Sequence, residues 1–150
     1  MDEEQIQNAE EQPKEKTLEQ EFEERFQQEE AAEQEAEKDK AYLLFKARRK
    51  FGLADGALEG WKRNHPLGVG MTWIGGKPYI YRALSLGEYL GILEKNPEAA
   101  DFQKAVASRA LLYPEINDNE YITSLAGLPT SLSNAILQTS GFEQTIAIPV

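Results

Sequence analysis

Acidic residues are gathered at one end of this chain. Residues 1–40 carry sixteen Asp and Glu against five Lys and Arg, a balance of −11, while residues 41–150 carry ten acids and eleven bases, a balance of +1. A segment so charged cannot collapse on itself, because closely spaced like charges repel and little apolar surface is available to offset the entropy of ordering. Its larger apolar residues are few: Ile6, Leu18, Phe22 and Phe26, with only alanines from there to Tyr42. The hydrophobic core must therefore come from the remaining 110 residues. The sequence divides into an acidic arm, 1–40, and a small domain, 41–150.

The arm is nevertheless rich in Glu, Gln, Ala and Lys, all good helix formers. Leu18, Phe22 and Phe26 recur at i, i+4 and i+8, one narrow apolar stripe on a helix. Two readings stay open: a solvated, partly disordered tail, or a long helix that lays this stripe on a partner. Apolar a and d positions do not persist over three heptads, which argues against a sustained coiled coil. Beyond Asp39 the apolar residues Tyr42, Leu43, Leu44, Phe45, Ala47 and Phe51 mix with Lys46, Arg48, Arg49 and Lys50. Acids upstream and bases downstream suit the helix dipole, and Gly52 is a natural stop. The pattern predicts one helix from about Lys14 to Phe51, with the basic cluster closing its end.

In the domain, Asp55 reads as the N-cap of a short helix, Gly56–Asn64, which turns Leu58 and Trp61 toward a core and stops at Pro66. Two β-prone runs around Gly75-Gly76 predict a β-hairpin at about 67–84 with one buried face per strand. Pro78 suits an edge or the beginning of a strand. Ser85 and Glu88 form an S-x-x-E capping box ahead of a helix with Tyr89, Leu90, Ile92 and Leu93. Asn96-Pro97 reads as the cap of the next helix, whose apolar face runs through Phe102, Ala105, Val106, Leu112 and Tyr113 to a stop at Pro114. Glu115–Tyr121 reads as a turn. A last helix begins near Pro129, packs through Leu132, Ile136 and Leu137, and ends at Gly141, with Phe142 folding back on its last turn. Thr145–Val150 reads as an edge strand or a loose end. The fold class is α+β, mainly α: a long N-terminal helix followed by a small helical domain with one β-hairpin.

Chemistry is sparsely represented. With no cysteine and a single histidine, His65, the chain has no thiol nucleophile, disulfide framework or multi-His metal set. His65 lies between Asn64 and Pro66 and reads as a helix end. The glycines of 68–76 match neither a P-loop nor a dinucleotide fingerprint. Asp118-Asn119-Glu120 lacks calcium-loop spacing. Carboxylate pairs crowd the arm without an apolar pocket to raise a pKa, and no serine has a neighbouring base. Trp73, Tyr79, Tyr81 and Arg82 combine aromatics with a base, as single-strand binders do, but a balance of +1 and a buried hairpin face argue against nucleic acid. No apolar run approaches a membrane span, and the acidic start is unlike a secretory signal or transit peptide. The expectation is a non-enzyme without cofactor or metal, acting without nucleic acid or membrane.

Several segments resemble the small tail-region proteins of contractile-tailed bacteriophages, a group comprising tail assembly chaperones and tail or baseplate structural proteins. The resemblance is carried by Phe51-Gly-Leu, Leu58-Glu-Gly-Trp-Lys62, Pro78-Tyr-Ile-Tyr-Arg-Ala-Leu-Ser-Leu-Gly-Glu-Tyr89, Leu111-Leu-Tyr-Pro-Glu115, the run from Ala126-Gly-Leu-Pro129 through Ile136-Leu137, and Ser140-Gly-Phe142. It spans roughly residues 51–142 and leaves the arm outside. It implies a protein of the virion tail, or of the host cytoplasm during assembly, that works through contacts with tail, baseplate or tape-measure proteins in an oligomeric or multi-protein assembly. The alternatives are a transient tail assembly chaperone absent from the mature virion, or a cytoplasmic acidic adaptor that binds a basic partner. The candidate partner-binding residues are Leu18, Phe22, Phe26, Trp61 and Phe142.

Overall fold

The computed structural model describes residues 15–142 and 147–149. The chain is mostly helical, with a long N-terminal helix and a small antiparallel sheet, and divides into two compact units after Phe45.

Helix α1 runs from Leu18 to Phe51. Its start is set by a capping box that the sequence reading passed over: the Gln20 N–H donates to Thr17 Oγ1 at 3.3 Å, and the Thr17 N–H donates to Gln20 Oε1 at 3.0 Å. Two orphan amides are thereby satisfied. Lys14, the expected start, lies outside the described residues. Glu19 and Glu21 occupy the first turn and Arg48, Arg49 and Lys50 the last, each matched to the dipole. Every residue from Glu15 to Tyr42 is exposed, so helix propensity and ion pairs such as Lys16–Glu24 at 2.7 Å and Arg25–Glu29 at 3.4 Å act without a core. Gly52, at φ +72°, terminates the helix.

The second unit, Lys46–Val150, holds the core. Helix α2 spans Ala57–Asn64, capped by Gly56 at φ 78° rather than by Asp55. Asp55 is one residue too early, and the left-handed Gly56 has no side chain to offer, so no capping bond forms. Strands β1 (Val69–Ile74) and β2 (Lys77–Arg82) pair antiparallel about Gly75-Gly76, both at positive φ as a tight two-residue turn requires. Gly70 permits a close approach: a Cβ there would stand 2.6 Å from the ring of its cross-strand neighbour Tyr81. Helix α3, Leu86–Lys95, opens with the expected Ser85/Glu88 capping box.

The next segments depart from the reading. Asn96 does not cap the following helix; its side-chain amide donates back to the Ile92 carbonyl at 2.9 Å, closing α3. Helix α4 begins later, at Ala99, after Glu98, and stops at Ala110. Leu111–Tyr113 then forms β3, a third strand antiparallel to β2, where the periodicity predicts continued helix. Pro114 keeps Tyr113 out of the helical region, and pairing with the edge of β2 draws Leu111–Tyr113 into the sheet. Glu115–Tyr121 is not a simple turn: Asn117 Oδ1 accepts the Glu120 N–H at 2.9 Å and starts α5, Asp118–Thr123. Helix α6, Leu128–Thr139, has Pro129 in its first turn. It ends as predicted on Gly141, at φ +99°, with Gly141 N–H to Gln138 O at 3.1 Å and Phe142 N–H to Leu137 O at 2.9 Å, the Schellman pattern. Of the segment read as an edge strand or a loose end, residues 145, 146 and 150 lie outside the described residues; Ala147, Ile148 and Pro149 are in no strand.

The sheet order β1-β2-β3 makes β2 central, with both edges paired, and core clusters on either side cover both of its faces rather than one. Tyr79 and Tyr81 face the larger cluster, where Val106, Ala107 and Ala110 of α4 meet Leu132 and Ile136 of α6. Ile80 faces a smaller one with Ala47, Leu53, Trp61, Met71 and Trp73. Pro78 pairs with Trp73 at the turn end of β2, outside the Ile80–Tyr81 stretch that β3 reaches. Its missing N–H is therefore not needed.

Candidate functional site

The predicted partner-binding residues fall in three places. Leu18, Phe22 and Phe26 are 63%, 60% and 56% exposed on α1. A helix with 3.6 residues per turn sets them in one stripe bordered by Glu19, Glu23 and Glu30. Among the described residues the stripe belongs to neither core cluster, so these side chains keep most of their apolar surface in water.

Trp61, half-buried, belongs to the smaller cluster. Its ring lies tilted on Tyr113, centroids 6.5 Å apart, and the Tyr113 hydroxyl donates to the Phe51 carbonyl at 2.5 Å. The ends of α1 and α2 are thus joined through β3. Phe142 remains 49% exposed and packs on Tyr89 at 4.8 Å. It borders a cleft of about 230 Å³ between Leu84–Leu86 and Ser140–Gly141. The cleft wall is fixed by Ser140, whose Oγ accepts the Leu84 N–H at 2.8 Å and donates to Ile136 O at 2.6 Å.

Beside the cleft lies a surface that the reading of single residues missed. Leu86, Leu90 and Leu93 of α3 are 72%, 51% and 44% exposed, and their i, i+4, i+7 spacing puts them on one outward stripe. The signal was present in the sequence, but the same spacing describes a core-facing stripe. Only the packing of Tyr89, on the flank adjoining this stripe, against Phe102 at 5.8 Å tells which part of the apolar surface turns inward.

One charged cluster ties neighbouring elements together. Glu88 bonds Arg82 through two parallel contacts of 2.9 and 2.7 Å, Arg109 at 3.0 Å, and its own capping partner Ser85. The Arg82 hydrogen bonds, helped by Arg109 and the Ser85 backbone, hold the Glu88 carboxyl down at about 2 against the opposing effect of burial. A carboxylate so held is a poor proton donor or acceptor near neutral pH. Tyr79 and Tyr81 are buried, and desolvation raises both phenol pKa values. With Arg82 committed to Glu88, these residues form no open stacking platform. His65 sits at the end of α2, its backbone N–H bonded to the Trp61 carbonyl at 2.9 Å. Asp118 and Glu120 occupy the first turn of α5, and among the described residues no group of three His, Asp or Glu is placed to hold a metal ion. Among the same residues no helix is long and apolar enough to cross a membrane.

Comparison with family models, curated proteins and solved structures finds no match.

Proposed function

We propose that this chain is a non-enzymatic bacteriophage tail or baseplate protein that acts through protein–protein contacts in tail structure or assembly. The observation that carries the reading is the stripe of Leu18, Phe22 and Phe26, apolar and exposed on the acidic first half of α1. Such a stripe is retained at a cost in solubility and is relieved when a partner covers it. The motif series from Phe51 to Phe142, which resembles contractile-tail proteins, supplies the setting. In this reading the domain docks on a tail, baseplate or tape-measure protein and the arm reaches a neighbour, its glutamates keeping it soluble beforehand. Phe142, with the open leucines of α3 beside it, offers the domain's contact.

Mass spectrometry of purified virions tests the structural version. Detection at a stoichiometry fixed relative to the tail proteins is expected. A chain abundant in infected cells but missing from mature particles would replace this version with the transient chaperone.

A further inference from the structure

The arm's complement is present in the chain itself. Residues 15–45 hold eleven acids against four bases, a balance of −7, while residues 46–63 hold six bases against two acids, a balance of +4. The bases gather where α1 and α2 end. Phe51 and Trp61 both contact Tyr113, so the last turn of α1, with Arg49 and Lys50, and the last turn of α2, with Lys62 and Arg63, are brought to one tyrosine. All four are exposed, and among the described residues none has a carboxylate within 4.0 Å. On α1, Glu19, Glu23 and Glu30 beside the apolar stripe likewise have no basic partner among the described residues. Unpaired acids border an uncovered apolar stripe on one unit, and unpaired bases rim the other.

We propose that the Leu18/Phe22/Phe26 stripe of one copy docks on the basic rim formed by Arg49, Lys50, Lys62 and Arg63 of a second copy, head to tail. Charge complementarity selects this occupant. Two chains of net charge −10 repel as wholes, but at physiological ionic strength screening acts over ~8 Å, so the facing patches decide. A contact between two different surfaces leaves one of each free at the ends, and so it propagates into a ring or an open series rather than stopping at a symmetric dimer. The inference rests on the reading that the arm reaches a neighbour and names that neighbour as a second copy of this chain; the docking of the domain on tail proteins is a separate question.

Sedimentation equilibrium of the full-length chain tests it, from about 1 to 200 μM and at 50 and 500 mM salt. Association beyond the 16.9 kDa monomer is expected, with the association constant at least about tenfold weaker at the higher salt. Phe22→Glu with Phe26→Glu, both at exposed positions, removes the stripe. Lys62→Glu with Arg63→Glu reverses the charge of half the rim and leaves it with no net positive charge. Each double variant alone is expected to be monomeric with an unchanged circular dichroism spectrum. Mixed together, they are expected to form dimers and nothing larger, because one intact stripe meets one intact rim. A wild-type chain monomeric throughout, or a rim variant that still associates, overturns the proposal. Either result leaves the virion measurement to decide the tail assignment separately.

Discussion

Glu88 joins three elements through one carboxylate. Arg82 ends β2, Ser85 caps α3 and Arg109 lies in the last turn of α4. The sequence announces only the local part, because S-x-x-E is a contiguous pattern while Arg109 reaches Glu88 only after the chain folds. The carboxyl drops from an ordinary 4.5 to about 2 in the folded protein. A depressed folded value means the stabilisation is present in full above the unfolded value and is lost as pH falls through the folded one. With the side chain 23% exposed, the difference corresponds to on the order of 2–3 kcal/mol. Urea denaturation between pH 6 and pH 2 is expected to show this contribution falling away below about pH 4.5. Glu88→Gln, which preserves the capping geometry, is expected to be less stable at pH 6 and to lose less on acidification. An identical slope in both proteins would remove the network from the account.

Among the elements, helix α1 and strand β3 mark the two extremes of legibility. The helix could be read because its stability is local: formers throughout, acids first, bases last and a glycine stop. Thr17 and Gln20 were missed as its cap only because the acidic run extends past them toward Lys14. Local stability has a consequence for the arm itself. Glu19/Glu23, Glu29/Glu33 and Glu33/Glu37 are i, i+4 acid pairs, each mildly destabilising when charged. A peptide of residues 15–45 is expected to be more helical at pH 3 than at pH 7, followed by circular dichroism at 222 nm. Lower helicity in acid would show that ion pairs such as Arg25–Glu29 outweigh the repulsion. Strand β3 is the opposite case. Leu111, Leu112 and Tyr113 continue the apolar period of α4, and their strand exists because the edge of β2 is there to pair with.

For the molecule as a whole, both core clusters draw only on residues from Ala47 onward. The arm is therefore not needed to build them. A chain of residues 46–150 is expected to unfold in one cooperative transition and to keep the near-ultraviolet circular dichroism of Trp61 and Trp73. A truncated chain with helical signal but no fixed aromatic signal would mean the arm supports the core.

By itself the sequence determined what depends on neighbours along the chain: the charged arm, the hairpin at Gly75-Gly76, the Ser85 box and the glycine-terminated last helix. These follow from propensity, capping and turn geometry, which act within about four residues. The tertiary structure decided what depends on distant contact. It buried β2 on both faces, turned Leu111–Tyr113 into a strand, drew Arg109 onto Glu88, and left Leu86, Leu90 and Leu93 outside while Tyr89 packed within. An apolar period says that a face is to be covered. Only packing settles whether its own chain covers it or leaves it open to a partner.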